Sequence, residues 1–321
     1  RQQHPGWAEH DANDWWQATI SACAQLKATA PQPLAALRPI GLSGQMHGAT
    51  LLDAGDNVLR PCMLWNDTRS AAQCAALTRD CPSLHRRAGN LAMPGFTAPK
   101  LLWVREHEPD LFRRVATVLL PKDWLRLQLT GTKVSEMSDA AGTLWLDVAK
   151  RDWSGVLLAA TGLTRAQMPA LIEGPQVSGQ LTADAARALG LMQALPVVGG
   201  AGDNAASAIG IGAVKTGDSF VSLGTSGVLF SVTDQHRPNV GEAVHAFCHA
   251  LPGVWHQMAF VDGQLDRAFQ RAVPSHHHRC QRVAHRAGPV VELDRAADVD
   301  AARVELDRNP LHPVVEDRAQ A

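Results

Sequence analysis

The order of elements along this chain predicts an α/β fold with a mixed or parallel sheet. Three observations carry that expectation. Short apolar runs alternate with helical segments from about residue 36 to 232. Glycine-rich turns punctuate the alternation, most densely at Gly199, Gly200 and Gly202. Apolar residues make up 45% of the 321, enough core for two domains of ordinary size.

Taken in order, residues 1–10 form an extended lead-in. Asp11 or Asn13 then caps a helix to about Lys27, with Trp15, Ile20, Cys23 and Leu26 on one face. A strand over 39–43 ends in Gly44-Gln45-Met46-His47-Gly48, where polar groups beside glycines are placed to line a pocket. His47 keeps two readings, a pocket group or a hydrogen-bonded structural histidine. A strand over 61–65 precedes a helix over 68–77, with Asp67 as its cap and Arg69 as a solvated first-turn residue. A helix over 99–106, a buried strand over 115–120 and a helix over 122–129 stopped by Gly131 follow. Residues 138–143 read as a small-residue loop in which Asp139 either lines a pocket or holds a turn. Residues 152–195 read as short helices with polar joints.

The stretch 196–232 is the richest in chemistry. Val197 and Val198 end a buried strand, and glycines turn the backbone without a Cβ clash. Asp203 and Asn204 open a small-residue helix. Two strands, 219–223 and 228–232, flank the hairpin turn Gly224, Thr225, Ser226 and Gly227. Such a turn offers N–H groups and hydroxyls to a phosphate. A carboxylate at a helix start followed by this hairpin points to a base near a phosphate site.

Composition narrows the classes. The net charge of −1 gives no polyanion-binding bias. Six cysteines without a CxxC pair fit a reducing cytosol better than a disulfide scaffold. No apolar run approaches the roughly 20 residues of a membrane span. The glycines at 199–212 do not make G-x-G-x-x-G, so an oxidoreductase is a poor second choice. His276, His277, His278 and Cys280 have no second ligand pair, and His245, Cys248 and His249 lack structural-zinc spacing; no metal ligands are assigned. The chain opens on Arg1 rather than Met, so its N-terminus is expected to be missing. After Phe260 lysine is absent and Arg, Ala, His and Pro dominate. Residues 261–321 are therefore expected to be an unmatched tail, frameshifted or disordered, with at most one amphipathic helix near 291–308.

Several motifs in one order now identify a resemblance: SGQMHGATLLD (43–53), LWNDTR (64–69), GNLAMPGFTAPKLLWV (89–104), LLPKDWLRLQLTG (119–131), MSDAAGTLWLDVAKRDWS (137–154), GGAGDNAAS (199–207) and SLGTSG (222–227). Together they resemble the FGGY family of carbohydrate kinases, in its xylulokinase branch, over about residues 4–255. The resemblance implies a ribonuclease-H-like, actin-type fold. Residues 1–215 would form the sugar-binding domain lacking its first strands, and 216–260 the start of a second domain. It implies ATP-dependent phosphorylation of D-xylulose to D-xylulose 5-phosphate, with ATP and Mg²⁺, in the cytoplasm and as a homodimer. Asp203 matches the catalytic base, Met46 and His47 the pair on the ketose, and Asn204 a further sugar contact. Gly224, Thr225, Ser226 and Gly227 match a phosphate loop facing ATP. The family's D-x-G-T strand-hairpin has no counterpart in residues 1–35, so impaired turnover is expected. The alternatives are a non-catalytic sugar-binding remnant, a pseudogene product, or a kinase for another ketose such as L-ribulose.

Overall fold

Helices form where the sequence supplies starts and stops. The carboxylate of Asp11 accepts from the Asn13 amide at 2.9 Å and starts the helix Ala12–Thr29. Pro121 opens Pro121–Thr130, and Gly131, at φ 70°, closes it in the left-handed conformation that glycine adopts without strain. Thr97–His107 and Asp203–Gly210 are also helices, at the expected places. The computed structural model describes residues 4–223 and 227–261, which belong to one compact unit. The expected tail, with its histidine run and helix near 291–308, lies outside the described residues.

The pairing that matters most for function is parallel. Ile40 bridges Val197, and Ser43–Gly44 pairs with Ala201–Gly202, so the strand expected over 39–43 is present in shortened form. Parallel neighbours release their chains at the same end. One delivers Met46 and His47, the other Asp203, which is the place where open α/β sheets bind ligands.

Residues 152–195 depart from the expectation of helices alone. Ala170–Ile172 pairs in parallel with Val134–Glu136, and Val177–Gln180 pairs antiparallel with Pro196–Val198. Ala170–Ile172 is apolar but only three residues long, too short to tell strand from helix, and Val177–Gln180 holds a single large apolar residue. At the C-terminal side the expected hairpin is present, in register from Ser219 opposite Ser231 to Leu223 opposite Gly227. It belongs to a four-stranded antiparallel sheet with Trp255–Val261 and His245–Cys248, two strands not anticipated.

The principal core joins these parts. Met46, Leu101, Trp103, Trp145 and Trp153 pack with Val228, Phe247, Cys248 and Met258 from the four-stranded sheet. Trp145 is 1% exposed, and its indole N–H donates to Thr161 Oγ1 at 3.0 Å.

Two local expectations are corrected. Asp67 does not cap the following helix, which begins at Ala71 after Ser70. Instead its fully buried carboxylate accepts from the Ala8 amide at 2.7 Å and pairs with Arg69. Arg69 is not solvated. Its side chain is 1% exposed, lies 3.6 Å over the Trp7 ring and also pairs with Glu9. The lead-in strand Glu9–His10, which pairs with Cys62–Met63, covers both residues and makes this possible. The second correction concerns 138–143. Met137–Ala141 is a buried helix, N-capped by the Glu136 carboxylate, which accepts from the Ser138 and Asp139 amides at 2.8 and 2.9 Å.

Candidate active site

His47 has φ 72°, an uncommon conformation for a residue with a Cβ. Three groups hold it there. Its carbonyl oxygen accepts from Lys100 Nζ at 3.0 Å and from Thr97 Oγ1 at 3.1 Å, and its Nδ1 donates to the Gly142 carbonyl at 2.7 Å. With Nδ1 donating, Nε2 carries the lone pair and can accept from a hydroxyl. Burial pushes the ring down to about 3, against the Gly142 carbonyl, so the imidazole is neutral at pH 7. Phe96 packs against it with ring centres 4.5 Å apart.

Met46 connects His47 to the other half of the site. It is buried between two glycines that need to stay bare. A Cβ on Gly202 would lie 2.9 Å from Met46 Cγ, and one on Gly142 would lie 2.7 Å from Met46 Cε. Gly202 immediately precedes Asp203, so the structure brings Met46 and Asp203 to one place.

Asp203 is the first residue of its helix and exposed at its start; the cap is Gly202. It is therefore not simply the helix cap. Its Oδ1 accepts from the Asn204 amide at 2.8 Å and from Asn204 Nδ2 at 3.1 Å. Partial desolvation pushes its carboxyl up and the Asn204 hydrogen bonds pull it back, leaving it above the ordinary aspartate value. A carboxylate with one oxygen engaged and the other open can orient an attacking hydroxyl and take its proton. Gly227 is buried at the start of Gly227–Thr233. Gly224, Thr225 and Ser226 lie outside the described residues.

Sequence reasoning missed what stands behind these groups. Lys122, Asp123, Arg126, Glu136 and Asp139 all have fully buried side chains. Lys122 Nζ lies 3.1 Å from Asp123 Oδ1, 3.3 Å from Asp139 Oδ2 and 3.5 Å from Glu136 Oε1. Burial works against the Lys122 ammonium, but Asp123, Asp139 and Glu136 outweigh it and hold it above the ordinary lysine value. Burial pushes Asp139 well up, with Lys122 pulling against it. Asp139 therefore neither lines a pocket nor merely holds a turn; it belongs to this charged core. Lys100, also fully buried, is lowered to about 7 by desolvation, against Cys62 and Asp67. The one sequence signal was a group of charges, Lys122, Asp123 and Arg126, set among Leu119, Leu120, Trp124, Leu125, Leu127 and Leu129.

The fold is the ribonuclease-H-like, actin-type fold of the sugar kinases, with Met46, His47 and Asp203 following the ends of adjacent parallel strands. The family comparison is specific. Residues 1–210 match the N-terminal domain of the FGGY family of carbohydrate kinases, and the chain belongs to that family. It is 55% identical over 259 residues to the xylulose kinase of Escherichia coli K12, covering 80% of this chain and 53% of that protein. A crystal structure described as a xyloylose kinase from Brucella ovis is 50% identical, with TM-score 0.80, covering 91% of this chain and 60% of that one. The xylulose kinase structure from Rhodospirillum rubrum is 28% identical, with TM-score 0.78, covering 90% of this chain and 61% of that one. The chain spans about half the length of the curated relatives it matches.

Proposed function

We propose that the chain carries the sugar side of an ATP-dependent kinase that phosphorylates D-xylulose to D-xylulose 5-phosphate. One observation carries this reading: parallel strands release Met46-His47 and Asp203 at the same end, with Met46 packed against Gly202. The identity to curated xylulose kinases supports the choice of sugar. In this reading residues 1–215 are the sugar-binding domain and 216–260 begin the second, and the match over 1–210 supports that division. A cytoplasmic location and a homodimer go with it. Among the described residues no helix is long and apolar enough to cross a membrane.

Asp203 accepts the proton of the sugar 5-hydroxyl as its oxygen attacks. Asn204 holds one carboxylate oxygen, so the other faces the hydroxyl. His47 Nε2 accepts from a second sugar hydroxyl, and Met46 supplies an apolar floor. Phosphoryl transfer asks the protein mainly for alignment and charge stabilisation, and these groups supply the alignment of the sugar. ATP supplies the phosphoryl group when bound, and Gly224, Thr225, Ser226 and Gly227 are the residues assigned to it. Among the described residues no group of three His, Cys, Asp or Glu fits a metal ion. Mg²⁺ would be carried on the ATP phosphates, where it would neutralise their charge.

The test is coupled ADP release with ATP, Mg²⁺ and D-xylulose, for the chain and for Asp203→Asn. Turnover reduced about 10²–10⁴-fold in the variant is expected for loss of a base. Equal rates in both proteins would remove Asp203 from that role. Saturable ketose binding without ADP release in either would reassign the chain to sugar binding alone. The same assay with L-ribulose decides between ketoses.

A further inference from the structure

We propose that Ser138 is a positioning residue: its hydroxyl fixes the peptide before Asp203, and with it the place from which that carboxylate meets the sugar. The inference rests on the assignment of Asp203 to the sugar site.

Ser138 is 1% exposed. Its hydroxyl donates to the Glu136 carboxylate, at 2.9 Å from Oε1 and 2.8 Å from Oε2, and accepts from the Gly202 amide at 3.0 Å. A hydroxyl that gives its proton to a carboxylate is a better acceptor on its other side, because the two hydrogen bonds polarise each other. Glu136 is held in turn by the amides of Ser138 and Asp139 and lies 3.5 Å from Lys122 Nζ. Lys122 packs close under the neighbouring strand, where a Cβ on Gly44 would lie 2.8 Å from Lys122 Cβ. The buried charges therefore hold Ser138, and Ser138 holds Gly202.

The functional strand needs this. Ala201–Gly202 is two residues long, and its partner Ser43–Gly44 is equally short. The Ala201 amide donates to Leu42 and the Gly200 amide to Gly174, while the Gly202 amide goes to Ser138. The next residue is Asp203. Four positions further along the same short helix segment, the Gly142 carbonyl accepts from His47 Nδ1 at 2.7 Å. One rigid buried segment thus anchors both halves of the sugar site.

The experiment uses the full chain, amide-resolved NMR and D-xylulose as the probe. In the unsubstituted protein D-xylulose shifts the Gly202, Asp203 and Asn204 amide signals. In Ser138→Ala the Gly202 amide exchanges with solvent about tenfold faster or more, as a protected amide does when it loses its acceptor. D-Xylulose then binds about tenfold more weakly, while Tm and exchange elsewhere in the core stay close to the parent. Ser138→Thr, which keeps the hydroxyl, restores slow exchange at Gly202. Unchanged Gly202 exchange in Ser138→Ala, or acceleration spread evenly over the chain, would overturn the positioning role. Absence of any D-xylulose response at Gly202, Asp203 and Asn204 in the unsubstituted protein would overturn the site assignment itself, a failure visible before any variant is made.

Discussion

Replacing Lys122 with Met should leave the chain folded but much less stable, in a way that depends on pH. The ammonium sits among three carboxylates at 3.1, 3.3 and 3.5 Å, and every side chain involved is fully buried. Arg126 is the second cation, 3.9 Å from Asp123. Burial raises the Asp139 carboxyl against the pull of Lys122, and Lys122 and Arg126 are the two cations set against Asp123, Glu136 and Asp139. Removing Lys122 leaves Arg126 as the one cation of the cluster and an excess of buried acid groups. The cheapest remedy is to protonate one carboxylate. From an ordinary value near 4, holding that proton at pH 7 costs about 1.36 kcal/mol for each of roughly three units, or about 4 kcal/mol. Loss of one partner from a buried ion pair costs about 3–5 kcal/mol, which agrees. For a chain of this size that corresponds to a fall in Tm of about 8–16 °C. Between about pH 4 and 7 the folded variant then binds about one proton more than the folded parent, while the unfolded states match. Its stability must therefore rise as pH falls through that window, by up to about 1.4 kcal/mol per unit relative to the parent. Urea unfolding followed by tryptophan fluorescence at pH 7, 6 and 5 measures both effects. A variant within about 1 kcal/mol of the parent at pH 7, or a deficit that does not shrink on acidification, would refute the reasoning.

Three further outcomes follow from the same structure. Burial lowers His47 to about 3 and His245 to about 4, below the ordinary 6.5. The unfolded chain therefore binds more protons below pH 6.5, and stability falls from there toward pH 4. At pH 5 each histidine accounts for about 2 kcal/mol, measurable as a Tm lower than at pH 7, and a flat Tm between these values would contradict the burial argument. Gly142→Ala sets a Cβ 2.7 Å from Met46 Cε and 2.8 Å from the His47 ring, so it should cost about 1–3 kcal/mol and weaken ketose binding, checked by thermal unfolding and calorimetric titration. Trp145→Ala empties the largest fully buried side chain and leaves Thr161 Oγ1 without its indole donor. It should cost about 3–5 kcal/mol in urea unfolding, without a specific effect on sugar affinity per folded molecule.

The sequence made some parts of this site legible and hid others for definite reasons. Asp203 was readable because glycines before it and small residues after it mark a turn entering a helix, a signal confined to a few positions. The 219–233 hairpin was readable because alternation and a Gly-Thr-Ser-Gly turn are also local. The strands Ala170–Ile172 and Val177–Gln180 were not, because three apolar residues are too few to show a period and Val-Ser-Gly-Gln shows none. Arg69 looked like a solvated residue, since an arginine beside an aspartate on a first turn normally is one. Only the return of residues 4–10 over it, with Trp7 against its guanidinium, buries it. The segment 138–143 looked like a loop because Ser, Asp, Gly and Thr favour turns. It is helical as far as Ala141 because Glu136, itself buried, caps the first amides.

By itself the sequence determined the alternation of strands and helices, the turn that presents Asp203 and the family to which the chain belongs. These rest on caps, glycines and periodicities that act within one or two turns of the chain. Only the tertiary structure decided which charges are buried and what they hold: Lys122 among Asp123, Glu136 and Asp139, His47 on Gly142, and Ser138 on Gly202. A lysine in a helix reads the same in sequence whether water or three carboxylates surround it. The difference is made by chain segments that are distant in sequence and meet only when the core closes over them.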